Sequence, residues 1–259
     1  MGQGLFLRPV CLAPFFGICP ERTDMAYFMN GIRLAGLERE MILPPNFKPR
    51  GHGRMILNRF RYKPEDVDCK LCTEYSHRRC TRPSCPWLAE RIEAGVVRYQ
   101  PLVLECFREL KSHPLMARVR DVICGEESIR FEGDRHRERL AFWRSWLTTQ
   151  NKGKAVDHLE LAVLFLLTAR ESIWNKLQPH LTEALGKWDA SIHVRGLSTQ
   201  DYALLQTIKS IRTGQAKITV SELTDEELVD DDTLRLIIDA ALLCRYGQAA
   251  LFIGEGARR

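Results

Sequence analysis

Leu161-Ala-Val-Leu-Phe-Leu-Leu167 is the stretch of the sequence that decides the fold. Every residue in it is apolar, so a helix formed here has no polar face for water and must be surrounded by other elements of the chain. Crossing a bilayer takes about 20 apolar residues, and this run is much shorter. The stretch therefore predicts a buried central helix, within a longer helix over residues 156–177, in the middle of a mainly α body.

Further helices are predicted on both sides of this central helix. Apolar residues recur at three- and four-residue spacings, the pattern of amphipathic helices, in residues 87–94, 99–112, 115–124, 134–148 and 233–252. Two capping boxes, Ser198-Thr-Gln-Asp201 and Thr224-Asp-Glu-Glu227, each predict a helix start, because the hydroxyl and the later carboxylate can satisfy backbone amides there. We expect a body of about seven or eight helices.

Composition divides the chain into three regions. Residues 1–54 hold six prolines and several glycines, which predicts an irregular accessory arm. Residues 55–98 form a cysteine-rich module, and residues 99–259 form the helical domain. Lys and Arg outnumber acids ten to four in residues 1–63, whereas acids outnumber them nine to four in residues 201–240. The net charge of +5 is too small to establish a nucleic-acid partner by itself.

Four of the nine cysteines fall within seventeen residues, at Cys69, Cys72, Cys80 and Cys85. Zinc prefers four thiolate or imidazole ligands in a tetrahedron, and a CxxC pair is short enough for both sulfurs to reach one ion. The other five cysteines are scattered and the total is odd, which argues against a disulfide scaffold and favours a reducing cytoplasm. We therefore predict one structural Zn²⁺ bound by the four clustered thiolates.

Other chemistry could use the same residues. An iron–sulfur cluster also takes four cysteine ligands. His77 could replace one thiolate, although its position beside Arg78 and Arg79 favours a solvated side chain. A redox-active CxxC would need a thioredoxin-like βαβ unit, of which the sequence has no sign. Zinc is the preferred interpretation, and the first two alternatives stay open.

Positive and aromatic side chains interleave with the cysteines, a composition that suits phosphate contact and base stacking. The candidate residues for contact with a nucleic acid or a protein partner are Lys70, Arg78, Arg79, Arg82 and Trp87. Residues 50–98 hold eleven Lys or Arg and six acids, a balance of +5, but four thiolates around one divalent ion add −2 and leave +3. Such a charge steers a polyanion only weakly, so a nucleic-acid contact and a purely structural or protein-facing module both stay open.

Enzyme signatures are absent from the sequence. It contains no HExxH, no Walker loop and no GxSxG motif. His136-Arg-Glu138 and His158-Leu-Glu160 echo the HxE of zinc deaminases, but there a PCxxC follows the HxE, whereas here the CxxC precedes it and lacks the proline. The acids of residues 222–232 lack EF-hand spacing and fit a solvated helix start. The sequence favours a non-enzymatic protein and identifies no catalytic residue.

No membrane segment or secretion signal is expected. No uninterrupted apolar run approaches the roughly 18 residues of a membrane span. The apolar start over residues 5–18 is interrupted by Arg8, Pro9 and Pro14, and no basic residues precede it. The sequence does not indicate an oligomeric state.

Asp66-Val-Asp-Cys69-Lys-Leu-Cys72, followed by Cys80 and by Cys85-Pro-Trp-Leu-Ala-Glu-Arg-Ile92, resembles a group of uncharacterised cysteine-cluster proteins carried by mobile elements of gut anaerobes. The similarity covers residues 55–253 and leaves out the amino-terminal arm. The group has no activity that could be carried over to this chain. The resemblance implies a bacterial, cytoplasmic setting and a role in a mobile element.

Three functional hypotheses follow. The leading one is a non-enzymatic, zinc-stabilised binding protein whose cysteine module and basic arm engage a nucleic acid or a nucleoprotein of a mobile element. The alternative is a protein-binding inhibitor of a host defence complex, of the anti-CRISPR kind. A third and weaker one is a metal-dependent hydrolase or deaminase, which would require an open coordination position on the metal.

Overall fold

The computed structural model describes residues 62–72, 75–77, 80, 85, 87–151, 155–184 and 194–254. In this part of the chain there are α-helices, two short 3-10 helices and no β-strand, so the predicted mainly α fold is confirmed. The predicted arm over residues 1–54 and the start of the cysteine-rich module lie outside the described residues. The elements are η1 Pro64–Val67, α1 Leu88–Glu93, α2 Tyr99–Cys106, α3 His113–Val122, α4 Asp134–Gln150, α5 His158–Ala169, α6 Glu171–Ala184, α7 Thr199–Thr213, α8 Val220–Thr224, α9 Asp231–Tyr246 and η2 Gly247–Phe252.

Helices α5 and α9 pack against each other at the centre of the body. Every residue of α5 from Leu161 to Ala169 is buried, which confirms the central helix predicted from the apolar run. Helices α4, α6 and α7 also pack against α5, and helices α2, α3 and α7 pack against α9. Two buried helices thus stand inside a layer of amphipathic ones. Among the described helices, none combines the length and the apolar character needed to cross a membrane.

The single helix predicted over residues 156–177 is wrong, because the chain forms two helices there. Arg170 separates α5 from α6 with an extended backbone, at φ −110° and ψ 135°. Its guanidinium donates a hydrogen bond to Thr233 Oγ1 at 2.8 Å and forms an ion pair with Asp201 at 3.5 Å. These partners on α9 and α7 stabilise the break, and they are distant in sequence, so the local apolar spacing does not indicate it.

One of the two predicted capping boxes starts a helix and the other does not. Ser198 caps α7 by accepting a hydrogen bond from the amide of Asp201 at 3.1 Å, as predicted. Thr224 instead ends α8, and the carboxylate of Asp225 accepts from the amide two residues further on at 2.9 Å, forming a turn. Asp230 caps α9 by accepting from the amide of Thr233 at 2.7 Å. The helix start predicted at Thr224 is therefore wrong, while the helix predicted over residues 233–252 begins two residues earlier, at Asp231, and is formed by α9 and η2.

The helices predicted over residues 99–112 and 115–124 have different boundaries in the structure. Helix α2 ends at Cys106, and α3 already begins at His113. Ser112 caps α3 by accepting from the amide of Leu115 at 3.4 Å. Pro114 therefore lies in the first turn of α3, where a missing N–H costs nothing, rather than in a break before it.

A glycine directs the chain from α9 into η2. Gly247 has φ 61° and ψ −150°, a conformation that only glycine adopts readily. A Cβ at this position would overlap the imidazole of His158. The turn lets η2 fold back against α5 and α9 and also pack against α1, which in turn contacts η1. The carboxy-terminal end of the chain thus connects the core to the cysteine segment.

Candidate metal and contact site

A small second core anchors the cysteine segment, which we define as residues 62–87. Its buried members are Tyr62, Val67, Trp87 and Ala94, and the partly buried Cys72 and Cys85 pack beside them. Trp87 is the largest of these side chains and is only 1% exposed. It immediately precedes α1, so the indole fixes the end of the segment against the first helix of the body.

The first two cysteines lie at the ends of a tight turn. The amide of Leu71 donates to the carbonyl of Asp68 at 2.9 Å, and the amide of Cys72 donates to the carbonyl of Cys69 at 3.3 Å. The carboxylate of Asp68 also accepts from the amide of Lys70 at 2.9 Å. The CxxC backbone therefore has the compact form that two thiolates need in order to reach one ion.

Cys80 is tied to Ser76 by two hydrogen bonds. The amide of Cys80 donates to the carbonyl of Ser76 at 2.8 Å, and the amide of Ser76 donates to the Cys80 sulfur at 3.1 Å. An amide N–H directed at the sulfur orients this side chain, as outer hydrogen bonds do around metal ligands. The third cysteine thus has an environment that suits a metal ligand.

Arg91 of α1 connects the first and the last cysteine. Its Nη1 donates a hydrogen bond to Cys69 Sγ at 3.0 Å, and its charge also acts on the Cys85 thiol. Burial raises the pKa of the Cys85 thiol, while a hydrogen bond from the Trp87 amide and the charge of Arg91 act in the opposite direction. Arg91 therefore holds a positive charge near the sulfurs at both ends of the cysteine cluster.

The four sulfurs are not gathered around one point. The part of the chain that the structure describes, which includes all four cysteines, contains no group of three or more Cys, His, Asp or Glu side chains placed to hold a metal ion. None of these cysteines forms a disulfide. The four-thiolate zinc site therefore stays a prediction, supported by the residue types and by the contacts of single cysteines. His77, the alternative ligand, is exposed.

The predicted contact residues have different outcomes. Lys70 is exposed at the CxxC turn. Trp87 is buried, so its ring offers no open face to a base, and we correct its assignment from contact residue to anchor of the small core. Three further candidates lie outside the described residues: Arg78, Arg79 and Arg82.

Two exposed side chains complete a surface that we call the tip of the cysteine segment, formed by Lys70, Leu71, Tyr75 and His77. Leu71 is 63% exposed and Tyr75 is 46% exposed. Leu71 was not among the residues predicted from the sequence. The available signal was its place between the two cysteines of a tight turn, where the sulfurs and not the intervening side chains face inward.

The two HxE motifs are structural in the described residues. Nδ1 of His136 accepts from the amide of Glu132 at 3.2 Å, and its Nε2 lies 2.9 Å from the carbonyl of Phe165, to which it donates in the neutral form. Burial lowers the pKa of His136 to about 4. The ring of His158 packs against Gly247, and burial lowers its pKa as well. The ring of His136 thus connects α4 to α5, and the ring of His158 connects α5 to the start of η2.

A buried charge network connects α2 and α9. The hydroxyl of Tyr99 donates to Asp239 Oδ1 at 2.6 Å, and Nε of Arg235 donates to Asp239 Oδ2 at 3.3 Å. Burial raises the pKa of Asp239 to about 6, although Arg235 and the Tyr99 hydroxyl act in the opposite direction. The guanidinium of Arg235 also stacks over the Tyr99 ring at 4.4 Å. Because each group already has a partner, the network is an element of core structure.

The acids at the start of α9 pair with arginines. Asp231 lies 2.9 Å from Arg118, and Asp232 lies 2.7 Å from Arg130. Asp230 is the helix cap. These contacts agree with the solvated helix start expected from the sequence.

Comparison with known proteins gave no match to any protein-family model, any curated protein or any solved structure. The resemblance to cysteine-cluster proteins of mobile elements, with the bacterial and cytoplasmic setting that it implies, stays a prediction. The function is therefore inferred from the geometry of the chain itself.

Proposed function

We propose that the chain is a non-enzymatic, zinc-stabilised binding protein that engages single-stranded nucleic acid, alone or in a nucleoprotein, through the tip of its cysteine segment. The helical body would serve as a rigid support, and the metal would fix the tip upon it. A setting in a bacterial mobile element is part of the same proposal.

The observation that carries the proposal is the composition of the tip. An exposed cation at Lys70 and an exposed aromatic ring at Tyr75 lie on the same short cysteine-rich segment. Leu71, which lies between them in the sequence, is 63% exposed. A phosphate contact next to a stacking face is the combination by which proteins hold single-stranded nucleic acid without reading its sequence.

Zinc is proposed because of the donors that the segment offers. Four thiols in seventeen residues match the ligand set of a structural zinc site. Arg91 and the Ser76 amide would act as outer partners that stabilise ligand charge. A small core of four buried residues is too little to order the segment by itself, so bound metal would supply much of its folding free energy.

Metal analysis tests the first half of the proposal. The purified protein should contain about one zinc per chain, and Cys69→Ser and Cys85→Ser should each lose it. Cys124→Ser is the matched control, because Cys124 is exposed in the helical body, and this variant should keep its metal. Iron with inorganic sulfide would favour the cluster alternative, and a wild-type protein without bound metal would refute the site.

Binding measurements test the second half. A labelled oligonucleotide of about 12 nucleotides should bind at low salt, and Tyr75→Ala should weaken binding about tenfold through the lost stacking face. Lys70→Gln should lower the slope of log K against log salt by about 0.7, the value for one phosphate contact on a single strand. Lys217→Gln removes the same charge from the body and should change neither quantity. If the wild-type protein binds no DNA or RNA at low salt, the proposal is refuted.

The exposed leucine at the tip favours a protein partner as the second candidate function. Exposed apolar and aromatic residues are also what protein interfaces use as anchors. This candidate, an inhibitor of a host defence complex, predicts that a protein partner co-purifies with the chain and remains bound after nuclease treatment. Loss of the co-purifying partner upon nuclease treatment would instead support the nucleic-acid proposal.

A further inference from the structure

A cleft of about 250 Å³ opens on the helical body. It lies between the residues just before α4, the outer side of α4 and η2. Its main lining residues are Ile129, Phe131, Arg137, Leu140, Arg144 and Phe252. Ligand pockets in proteins usually enclose about 300–1,000 Å³, so this cleft is suited to a single ring system and not to a large molecule.

Two arginines line one side of the cleft. Arg137 and Arg144 are seven residues apart on α4, so they lie on one helix face, about 10 Å apart along the axis. The guanidinium of Arg137 sits over the ring of Phe131 at 4.9 Å, which holds it in place. Neither guanidinium is within ion-pair distance of a carboxylate among the described residues.

The other arginines near the start of the same helix provide the contrast. Arg135 lies 3.0 Å from Glu171, and Arg139 lies 3.3 Å from the same carboxylate. Helix α4 thus has paired arginines on the side that meets α6 and uncompensated ones on the side that faces the cleft. No acid is among the residues that line the cleft in the described part of the chain, so the site as built attracts an anion.

The remaining walls of the cleft are apolar. Ile129 and Leu140 are buried beneath it, and Phe252 of η2 stands at its edge with 42% of its surface exposed. An exposed phenylalanine beside two unpaired guanidinium groups offers a stacking face together with phosphate donors. The chemistry that matches all three features is an aromatic ring joined to phosphate groups.

We infer that the cleft holds one nucleotide unit of a single-stranded nucleic acid, with the base against Phe252 and the flanking phosphates at Arg137 and Arg144. This inference rests on the proposed function and extends it to a second contact. Because η2 packs against α1, and α1 follows the cysteine segment, the cleft and the tip are supported by adjoining elements. One strand could then contact both surfaces, and the second contact would become intramolecular, which raises the overall affinity above that of either contact alone.

The test is fluorescence anisotropy with a labelled oligo-dT and a labelled oligo-U, each of about 12 nucleotides, over a range of salt. Phe252→Ala should weaken binding about tenfold. The double variant Arg137→Gln with Arg144→Gln should lower the salt slope by about 1.4, the value of two phosphate contacts on a single strand. Arg135→Gln is the matched control, because it removes an exposed arginine from the same helix outside the cleft, and it should leave the slope unchanged.

The outcomes separate this inference from the proposed function. If the wild-type protein binds neither oligonucleotide, both the proposed function and the inference about the cleft are wrong. Wild-type binding that Tyr75→Ala weakens, while Phe252→Ala and the double arginine variant bind like wild type, overturns the cleft alone. The inference is also overturned if Arg135→Gln and the double variant lower the salt slope equally per charge removed. It is likewise overturned if polyglutamate at an equal concentration of charge displaces the oligonucleotide. Either result would show a general attraction of anions. Thermal melting of each variant at the wild-type temperature shows that the fold is intact.

Discussion

The helical body and the cysteine segment are stabilised by different means. In the body, α5 and α9 bury a continuous set of apolar side chains, and surrounding helices cover them. Among the described residues of the segment, only Tyr62, Val67 and Trp87 are buried together, beside Ala94 at the end of α1, and the other contacts are turns and hydrogen bonds to sulfur. A region with so small a core needs a metal, a disulfide or a partner to hold one conformation. We therefore expect the body to fold by itself and the segment to depend on the proposed zinc ion.

The largest expected effect compares one residue from each region. Phe165→Ala in α5 should lower the free energy of unfolding by about 3–5 kcal/mol, because the side chain is fully buried and its removal leaves a cavity. Leu71→Ala at the tip should change it by less than about 0.5 kcal/mol, because that side chain is mostly exposed. Urea unfolding followed by far-UV circular dichroism measures both. Similar losses in the two variants would mean that the tip is part of the core.

The next effect is the pH dependence of the unfolding free energy that His136 in the helical body causes. His136 is neutral when folded, since Nδ1 accepts an amide hydrogen bond and burial lowers the pKa from 6.5 to about 4. The unfolded chain binds this proton below about pH 6.5, and the folded chain does so only near pH 4. Stability from this group is therefore complete above pH 6.5 and is lost as the pH falls towards 4, by about 3 kcal/mol in total.

A variant isolates this contribution from that of the other titrating groups. His136→Gln keeps an acceptor and a donor but cannot titrate. The difference in unfolding free energy between wild type and variant should shrink by about 3 kcal/mol between pH 7 and pH 4. Both proteins are measured with a chelator present, so that protons do not compete with metal for thiolates. Parallel pH profiles would contradict the assignment of the neutral imidazole.

The fold of the body was accessible from the sequence where local pattern and final packing agree. A helix over the apolar run at 161–167 must be buried on all sides, and the structure shows it buried at the centre of the body. The break at Arg170 was missed because its causes are contacts distant in sequence, whereas α9 begins only two residues before the predicted residues 233–252, at the local cap of Asp230. Asp225 shows the same limit on a shorter scale, since its carboxylate forms a turn where the capping box predicted a helix.

The third effect tests the link between the two regions. Gly247→Ala should destabilise the protein by about 2 kcal/mol more than Gly214→Ala, because a methyl group at Gly247 meets the ring of His158 while one at Gly214 meets open space. Gly247 combines φ 61° with ψ −150°, whereas Gly214 has φ 65° and ψ 9°, so the larger loss at Gly247 reports both the strain of alanine in a conformation that only glycine adopts readily and the packing of η2. Equal losses of unfolding free energy at the two positions would show that η2 moves to accommodate the methyl group at position 247.

The candidate site could be predicted only in its chemistry. Cysteine spacing is a property of the sequence, so a metal site could be proposed at once. Exposure is a property of the tertiary structure and could not be predicted from the spacing. In the structure Trp87 is buried in the small core, whereas Leu71 is exposed. The cleft beside Phe252 joins residues more than a hundred positions apart, and α4 alone reads as an ordinary amphipathic helix.

The smallest expected effect, and the one that tests the comparison most directly, is the response of the body to metal removal. Helix α1 contributes Leu88 and Ile92 to the main core, so it should stay folded when a chelator removes the metal. The turns of the cysteine segment pack mainly against the small core around Trp87. We expect the unfolding free energy of the body to change by less than about 0.5 kcal/mol, within the range of a surface perturbation.

Hydrogen exchange locates the boundary of that response. The amides of Leu71, Cys72, Tyr75 and Cys80 bond within the segment and should exchange faster with chelator, whereas the amides of Arg91 and Ala94 bond within α1 and should keep their protection. Cys69→Ser without chelator should reproduce this pattern. If protection in α1 and α5 fell together with that of the segment, metal binding and core folding would be one cooperative event, because the small core around Trp87 would then be an extension of the main one and not a satellite of it.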